Sequence, residues 1–205
     1  MYDAREMMFA FCHAPMRSHM QRTLLAVLAL VTALVTGALP VAAQAGQETT
    51  ILLVRHAEKA ATPADDPPLA PAGEARARDL WTAIRDANVS AVLTTQFART
   101  RQTAQPTATA LGISPTVIPA TSPTHIQDVV AEIRRHPGKT MLVVGHSNTV
   151  PAIVEALGAK RPGAICDSRY DDLFVVTVAA DGKASAVHAR YGEPSPRDST
   201  CAAMR

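Results

Sequence analysis

The sequence predicts an α/β fold in three layers: a mostly parallel sheet of about six strands, helices on both faces, and a C-terminal hairpin at the sheet edge. Between residues 49 and 157, short apolar runs of strand length alternate with longer segments whose apolar residues recur at helical spacing. After them, two strand-like runs flank a turn at Asp181-Gly182. Strand-helix alternation followed by a hairpin indicates a sheet whose strands are largely parallel and whose faces are both covered.

Six stretches are expected to form the strands. The first, second and fourth are apolar runs, which is typical of strands buried on both faces, and the third is short and weak. The last two pair around the Asp181-Gly182 turn as a hairpin. The expected strands cover residues 49–54, 90–94, 116–118, 139–144, 173–178 and 184–191.

Four helices are expected between these strands. Pro71 suits the first turn of the first helix, because its missing N–H would have no helical partner there. Gly112 closes the second helix, and Pro106 is expected to kink or interrupt it. The expected helices cover residues 71 to about 88, 99–111, 124–136 and 147–157.

Length and charge limit the number of domains and the classes of partner. The chain has 205 residues and a formal net charge of +2. That length suits one domain, here residues 46–205, after an N-terminal segment. No basic run or interleaved aromatic pattern indicates nucleic-acid binding.

Residues 1–45 have the pattern of an N-terminal extension followed by a secretory signal peptide. From Met20 a single arginine precedes a long apolar stretch, then Gly37 to Pro40, then small residues that end in Ala-Gln-Ala at 43–45. An uncleaved membrane anchor is the alternative. Cleavage predicts a periplasmic or secreted protein without stable membrane association. Residues 1–19 fit no part of the signal pattern, so translation starting at Met20 is a second option.

Two cysteines remain after such a cleavage, Cys166 and Cys201. In an oxidising compartment two cysteines can form a disulfide. Two unrelated thiols are the alternative, and the sequence alone does not decide between them.

Charged side chains follow two of the predicted strands directly. Arg55 and His56 end the first strand, and Gly145-His146 ends the fourth. In parallel sheets the functional groups lie just beyond the carboxyl ends of the strands. We therefore expect the two histidines to face each other across a site at this edge.

Four segments in order resemble the histidine phosphatase superfamily, also called the phosphoglycerate mutase-like fold. They are Arg55-His56, the loop LAPAGEARA at 69–77, Arg99 in an R-x-x-Q-T-A context, and Gly145-His146. The resemblance covers residues 49 to 191. It implies one phosphate pocket built by the Arg-His pair, the later arginine and the distant histidine.

Phosphoryl transfer depends mainly on positioning and on charge stabilisation. Arg55 and Arg99 offer planar donor forks suited to phosphate oxygens. A neutral His56 can attack phosphorus and hold it as phosphohistidine, while a protonated His146 would donate to the transferring oxygens. Such a site needs no metal and no cofactor. Its partner would be a small phosphorylated substrate or a phosphoprotein.

The sequence departs from the family pattern at the general acid. Many members carry a Glu or Asp after the third strand, where this chain reads PATSPTHIQDVV at 119–130. Ser122 or His125 occupies the expected slot, and Asp128 follows one turn later. His125 and Asp128 are therefore candidates for a general acid or phosphate ligand, and Lys59 is a candidate substrate contact. A missing acid favours substrates with good leaving groups, such as phosphohistidine.

Three functions are consistent with these residues. The first is an exported phosphohydrolase that works through phosphohistidine on His56. A phosphohistidine-protein phosphatase and a non-catalytic phosphate-binding member of the fold are the alternatives. Isolated histidines without clustered carboxylates argue against a metallohydrolase. The charged connection at 161–172 either lines the mouth of the site or is simply solvated.

Overall fold

The computed structural model of the protein describes residues 48–196. Within that range six strands form one sheet in the order β3-β2-β4-β1-β5-β6. The pairs β1–β4, β4–β2 and β2–β3 are parallel, and β5 and β6 are antiparallel at one edge. The predicted sheet and its hairpin are confirmed. The strands are β1 Thr49–Arg55, β2 Val89–Thr94, β3 Thr116–Val117, β4 Thr140–Gly145, β5 Asp172–Val178 and β6 Ala184–Arg190.

Four helices in the described part of the chain cover the sheet. One apolar cluster joins one face of the sheet to α3 and α4, and a second joins the opposite face to α1 and α2. Alternate residues of β1 divide between the clusters, since successive strand side chains point to opposite faces. The predicted three layers are therefore confirmed. The helices are α1 Pro71–Ile84, α2 Ala98–Leu111, α3 His125–Arg134 and α4 Thr149–Ala156.

Three helix predictions were wrong in detail. α1 ends at Ile84, before Asn88, whose φ of 54° is left-handed and cannot continue a helix. α2 runs without a break through Pro106, because a missing N–H removes one bond from a helix of 14 residues whose flanking Ala104 and Ala108 are buried. α4 begins at Thr149, two residues later than expected.

None of the helices within residues 48–196 is long and apolar enough to cross a membrane. The predicted signal peptide at 1–45 and Cys201 lie outside the described residues. Export and the pairing of Cys201 therefore stay predictions.

Register between the two central strands brings the two histidines together. β1 and β4 are parallel neighbours, and Arg55 stands opposite Gly145. His56 and His146 each come one residue later, so both leave the sheet at the same edge. The backbone N–H of His56 donates to the carbonyl of Gly145 at 2.9 Å, which continues the pairing into the site.

Candidate active site

A cleft of about 400 Å³ opens at the carboxyl ends of β1 and β4. The rings of His56 and His146 lie 5.4 Å apart, centroid to centroid, with an edge-to-face angle of 64°. The expectation that the two histidines face each other is thus met. The lining residues used below are Arg55, His56, Lys59, Arg99, His146 and Asp167.

His56 is held in the tautomer that a nucleophile needs. Its Nδ1 lies 2.8 Å from the carbonyl oxygen of Ala57. A carbonyl only accepts, so Nδ1 carries the proton and Nε2 keeps its lone pair. Burial, with smaller contributions from the charges of Arg55, His146 and Arg99, lowers the pKa of His56 to about 3. The imidazole is therefore neutral and nucleophilic at physiological pH.

Arg55 is almost completely buried and its guanidinium is held on one side. Nη1 donates to three backbone carbonyls, of Cys166, Asp167 and Arg169, at 2.7, 3.0 and 3.1 Å. The guanidinium carbon also lies 4.3 Å from the centre of the Tyr170 ring. Nε has no hydrogen-bond partner in the described protein.

Arg99 is the second residue of α2 and is fixed by two neighbours. Its Nη1 lies 3.7 Å from Oδ1 of Asp66, and its guanidinium lies 4.2 Å from the centre of the Phe97 ring. The same Oδ1 of Asp66 accepts the backbone N–H of Ala98 at 2.8 Å. Like that of Arg55, the Nε of Arg99 is buried without a partner among the described residues. Burial lowers the pKa of Arg99, with Asp66 opposing the change.

His146 is held by two threonines. Its backbone N–H donates to Oγ1 of Thr149 at 2.9 Å, and its Nε2 lies 3.1 Å from Oγ1 of Thr95. Burial, followed by the charges of Arg99, His125 and Arg55, lowers the pKa of His146 to about 4. His146 is therefore neutral at pH 7. The protonated donor expected from the sequence requires a bound phosphate dianion, whose charge raises the pKa again.

The R-x-x-Q-T-A segment positions the site through three contacts. Oε1 of Gln102 accepts the N–H of Leu69 at 2.7 Å, and Oγ1 of Thr103 accepts the N–H of Ala57 at 2.9 Å. Ala104 is fully buried against the sheet. α2 is thereby tied to the loop that precedes α1 and to the residue that follows His56. These ties explain why Arg99 occurs in this context.

The charged cluster after β1 divides into a functional part and a structural part. Arg55 and His56 line the cleft, whereas Glu58 pairs with the buried Arg76 through bonds of 2.7–3.0 Å. Gly73 lies so close to this segment that a Cβ there would be 2.2 Å from the carbonyl oxygen of Glu58. The glycine of the loop motif is thus required by close backbone approach.

Lys59 is exposed and lines the mouth of the cleft, which is compatible with the substrate contact predicted from the sequence. Asp167, from the connection at 161–172, lines the same mouth and is almost fully exposed. This connection therefore contributes to the site. Asp167 is the single carboxylate among the residues that line the cleft.

The two candidate acids do not line the cleft. His125 is 5% exposed at the start of α3, and its burial lowers its pKa. Its charge is one of the causes that lower the pKa of His146. Asp128 is exposed and accepts a hydrogen bond from Oγ1 of Thr124 at 2.8 Å. Ser122 bonds to the same threonine hydroxyl.

Four residues that support the site were not predicted from the sequence: Asp66, Thr95, Phe97 and Tyr170. Each holds Arg55, Arg99 or His146 from a loop. Thr95 and Phe97 adjoin the recognised motif, so their position in the chain was a usable signal. Asp66 and Tyr170 lie in connections without periodicity, where the sequence contains no such signal.

Comparison with known proteins agrees with this geometry. Residues 51–122 match the model of the histidine phosphatase superfamily, branch 1, a range that contains Arg55, His56 and Arg99. The resemblance to this superfamily that the sequence predicted is confirmed. This resemblance supports a phosphatase activity. No curated protein sequence matches the chain significantly.

Solved structures of several phosphatases share the fold. A proposed phosphohistidine phosphatase SixA from Nakamurella multipartitia is 26% identical, with a TM-score of 0.50, over 72% of this chain and 96% of its own. The protein histidine phosphatase SixA in complex with tungstate is 18% identical, with a TM-score of 0.55, over 69% and 96%. A proposed alpha-ribazole-5'-P phosphatase from Escherichia coli is 13% identical, with a TM-score of 0.55, over 73% and 99%.

Cys166 is disulfide-bonded, and its backbone carbonyl is the one nearest to Arg55. Its pairing with Cys201 stays a prediction. Within residues 48–196 no group of three or more His, Cys, Asp or Glu side chains is arranged to hold a metal ion.

Proposed function

We propose that this chain is an exported phosphohydrolase that transfers a phosphoryl group to Nε2 of His56 and then to water, without a metal ion. One observation carries the proposal. A neutral imidazole with a free Nε2 lines a cleft beside two arginines whose buried Nε donors have no protein partner among the described residues. Buried guanidinium donors are costly without an acceptor, and phosphate oxygens are acceptors of the right geometry.

In the first step the two arginines bind the phosphoryl oxygens and spread their charge. The Nε2 lone pair of His56 forms the P–N bond as the bond from phosphorus to the leaving group breaks. The carbonyl of Ala57 stabilises the positive charge that develops on the ring by accepting from Nδ1. The group leaves with the bonding electron pair and takes a proton from solvent or from a nearby acid.

In the second step water attacks phosphorus, the P–N bond breaks, and phosphate leaves while His56 returns to its neutral form. His146 stands across the cleft from His56 and would donate to the transferring oxygens once the bound dianion has raised its pKa. The arginines supply the positive charge that a metal supplies in metal-dependent phosphatases.

A phosphohistidine-protein phosphatase is the second candidate. It is favoured because neither His125 nor Asp128 lines the cleft, so a substrate whose leaving group needs little help from an acid suits the site. The relative from Nakamurella multipartitia, described as a phosphohistidine phosphatase, points the same way. Export rests on the signal pattern of residues 1–45 alone, and cell fractionation of the full-length chain tests it.

The chemistry is tested by rapid quench with a ³²P-labelled aryl phosphate and with a phosphohistidine peptide, each in the presence and absence of EDTA. We expect an acid-labile, alkali-stable phosphoenzyme on His56, with unchanged amounts under EDTA. Turnover without a phosphoenzyme would refute the mechanism, and loss of activity that added metal restores would refute metal independence. If the protein binds phosphate but turns over neither substrate, the result would favour a non-catalytic phosphate-binding protein.

A further inference from the structure

We propose that residues 166–170 form an orienting loop for Arg55, and that the disulfide at Cys166 locks this loop, so that breaking the bond weakens phosphate binding. Cys166 and Tyr170 are positioning residues, because they act through Arg55 and need not touch the phosphate. The inference rests on the proposed function in taking Arg55 as a phosphate ligand.

Three carbonyls within four consecutive residues surround one nitrogen of Arg55. Nη1 lies 2.7 Å from the oxygen of Cys166, 3.0 Å from that of Asp167 and 3.1 Å from that of Arg169. Nη1 has two protons, so at least one of them is shared between two acceptors. Such convergence needs one particular backbone conformation of the orienting loop. The loop therefore decides where the rest of the guanidinium points.

Tyr170 fixes the plane of the same group. The guanidinium carbon lies 4.3 Å from the ring centre, a favourable distance for a cation over an aromatic face. The ring also lies 6.2 Å from that of His56, so the orienting loop contacts both parts of the Arg-His pair. With Nη1 bonded to carbonyls and the plane set by Tyr170, the orienting loop fixes how the guanidinium lies in the cleft that Arg55 lines.

The orienting loop is irregular in structure and is held by hydrogen bonds, an ion pair and the disulfide. Residues 159–171 contain no helix or strand. Tyr170 donates its backbone N–H to Oγ of Ser195 at 2.9 Å, and Arg169 pairs with Asp172 at 2.8 Å. The disulfide joins the chain at the residue whose carbonyl makes the shortest bond to Arg55. Losing that covalent restraint should lower the population of loop conformations that hold Nη1.

Reduction of the full-length protein tests this coupling. A dithiol gives two electrons and two protons, the S–S bond becomes two thiols, and the dithiol leaves as its cyclic disulfide. The thiols are then alkylated, intact mass confirms the change, and circular dichroism confirms the fold. Titration calorimetry with tungstate, a tetrahedral oxyanion, should show the Kd rising about tenfold, which is the scale of one hydrogen bond to a charged group. The KM for an aryl phosphate should rise with it.

Variants separate the orienting loop from a general effect on stability. Cys166→Ser should bind tungstate like the reduced protein and no longer respond to the dithiol. In an Arg55→Lys background, reduction should change the Kd less than about twofold, because the group that the loop orients is gone. If Cys166→Ser does not fold, Tyr170→Leu should weaken binding about tenfold while Tyr170→Phe, which keeps the ring, should not.

An unchanged Kd after reduction of the wild type would overturn the proposal. Equal weakening in the wild type and in Arg55→Lys would also overturn it, since the loop would then act elsewhere. If the oxidised protein does not bind tungstate, both the proposed function and this inference are refuted. If tungstate binds with the same Kd before and after reduction, only the role proposed for the orienting loop is refuted, and the proposed function is not.

Discussion

The residues on the floor of the cleft and those around its rim are positioned by different kinds of interaction. The floor consists of Arg55, His56, Arg99 and His146, which follow strands or begin a helix. The surroundings of the floor, called the rim below, consist of Lys59, the segment 119–128 and the orienting loop. Within that segment only Ala120 and Thr121 line the cleft. Strand register fixes the floor, because Arg55 pairs with Gly145 in the sheet. Contacts far apart in sequence, such as those between Arg55 and residues 166–170, fix much of the rim.

Local sequence patterns can thus predict where the residues of the floor lie. The position of the rim depends on contacts between residues that are far apart in sequence. If the floor carries the chemistry, substitutions there should cost far more activity than substitutions on the rim. Variants of the floor therefore come first below, and a variant of the rim comes last.

His56→Ala should have the largest effect, because it removes the atom that forms the covalent intermediate. We expect kcat to fall at least about a thousandfold. Steady-state assay of an aryl phosphate measures it, with His136→Ala as the control, since that histidine pairs with Glu132 on α3 outside the cleft. A decrease of less than about tenfold would show that another group is the nucleophile.

Arg99→Ala should come next, because its guanidinium stabilises charge on the transferring group. We expect about a hundredfold loss in kcat/KM, on the order of 3 kcal/mol. Arg101→Ala, an exposed position on the same helix, is the matched control and should change the rate little. If the two variants have the same kcat/KM, Arg99 does not stabilise the transferring group.

The floor could be predicted because its signals are local. Continuous apolar runs located β1 and β4, and the rule that parallel strands share their carboxyl edge then placed His56 beside His146. The rim has no such signal. Tyr170 lies in a connection without periodicity, and its role depends on stacking over an arginine 115 positions earlier. The two candidate acids were chosen by distance along the chain, which does not determine whether a side chain reaches the cleft.

Helix ends were predicted less well than helices, for a related reason. The apolar face of α1 is visible in the sequence, but its end at Ile84 carries no glycine or proline signal, and the left-handed residue Asn88 comes four positions later. Pro106 was expected to kink or interrupt α2 from intrinsic preference alone, and the helix is not interrupted there. Packing of the small residues beside it keeps the helix continuous, which is a tertiary effect.

The buried floor should also make stability depend on pH. The pKa values of His56 and His146 are lowered to about 3 and about 4, against an ordinary value of 6.5. Between pH 6.5 and 4 the unfolded chain therefore binds more protons than the folded one, so the free energy of unfolding falls as pH falls. The expected slope is about 1.4 kcal/mol per pH unit for each histidine, as an upper limit.

Urea denaturation at several pH values between about 4 and 7 measures that slope. His56→Gln should reduce it by the share of one histidine. Stability that is constant from about pH 7 to 4.5 would contradict the buried, neutral state of the two floor histidines.

Asp128→Asn should have the smallest effect, because this carboxylate does not line the cleft. The carboxylate is exposed and accepts a bond from Thr124, a bond that an asparagine oxygen can keep. We expect kcat/KM to change less than about threefold, equivalent to about 0.6 kcal/mol, for aryl phosphates and for phosphohistidine peptides. An alkyl phosphate is the decisive substrate, since its leaving group needs a proton most. A loss above about tenfold on alkyl phosphate alone would show that Asp128 supplies the proton and that α3 moves inward during turnover. Part of the catalysis would then depend on the rim as well as on the floor.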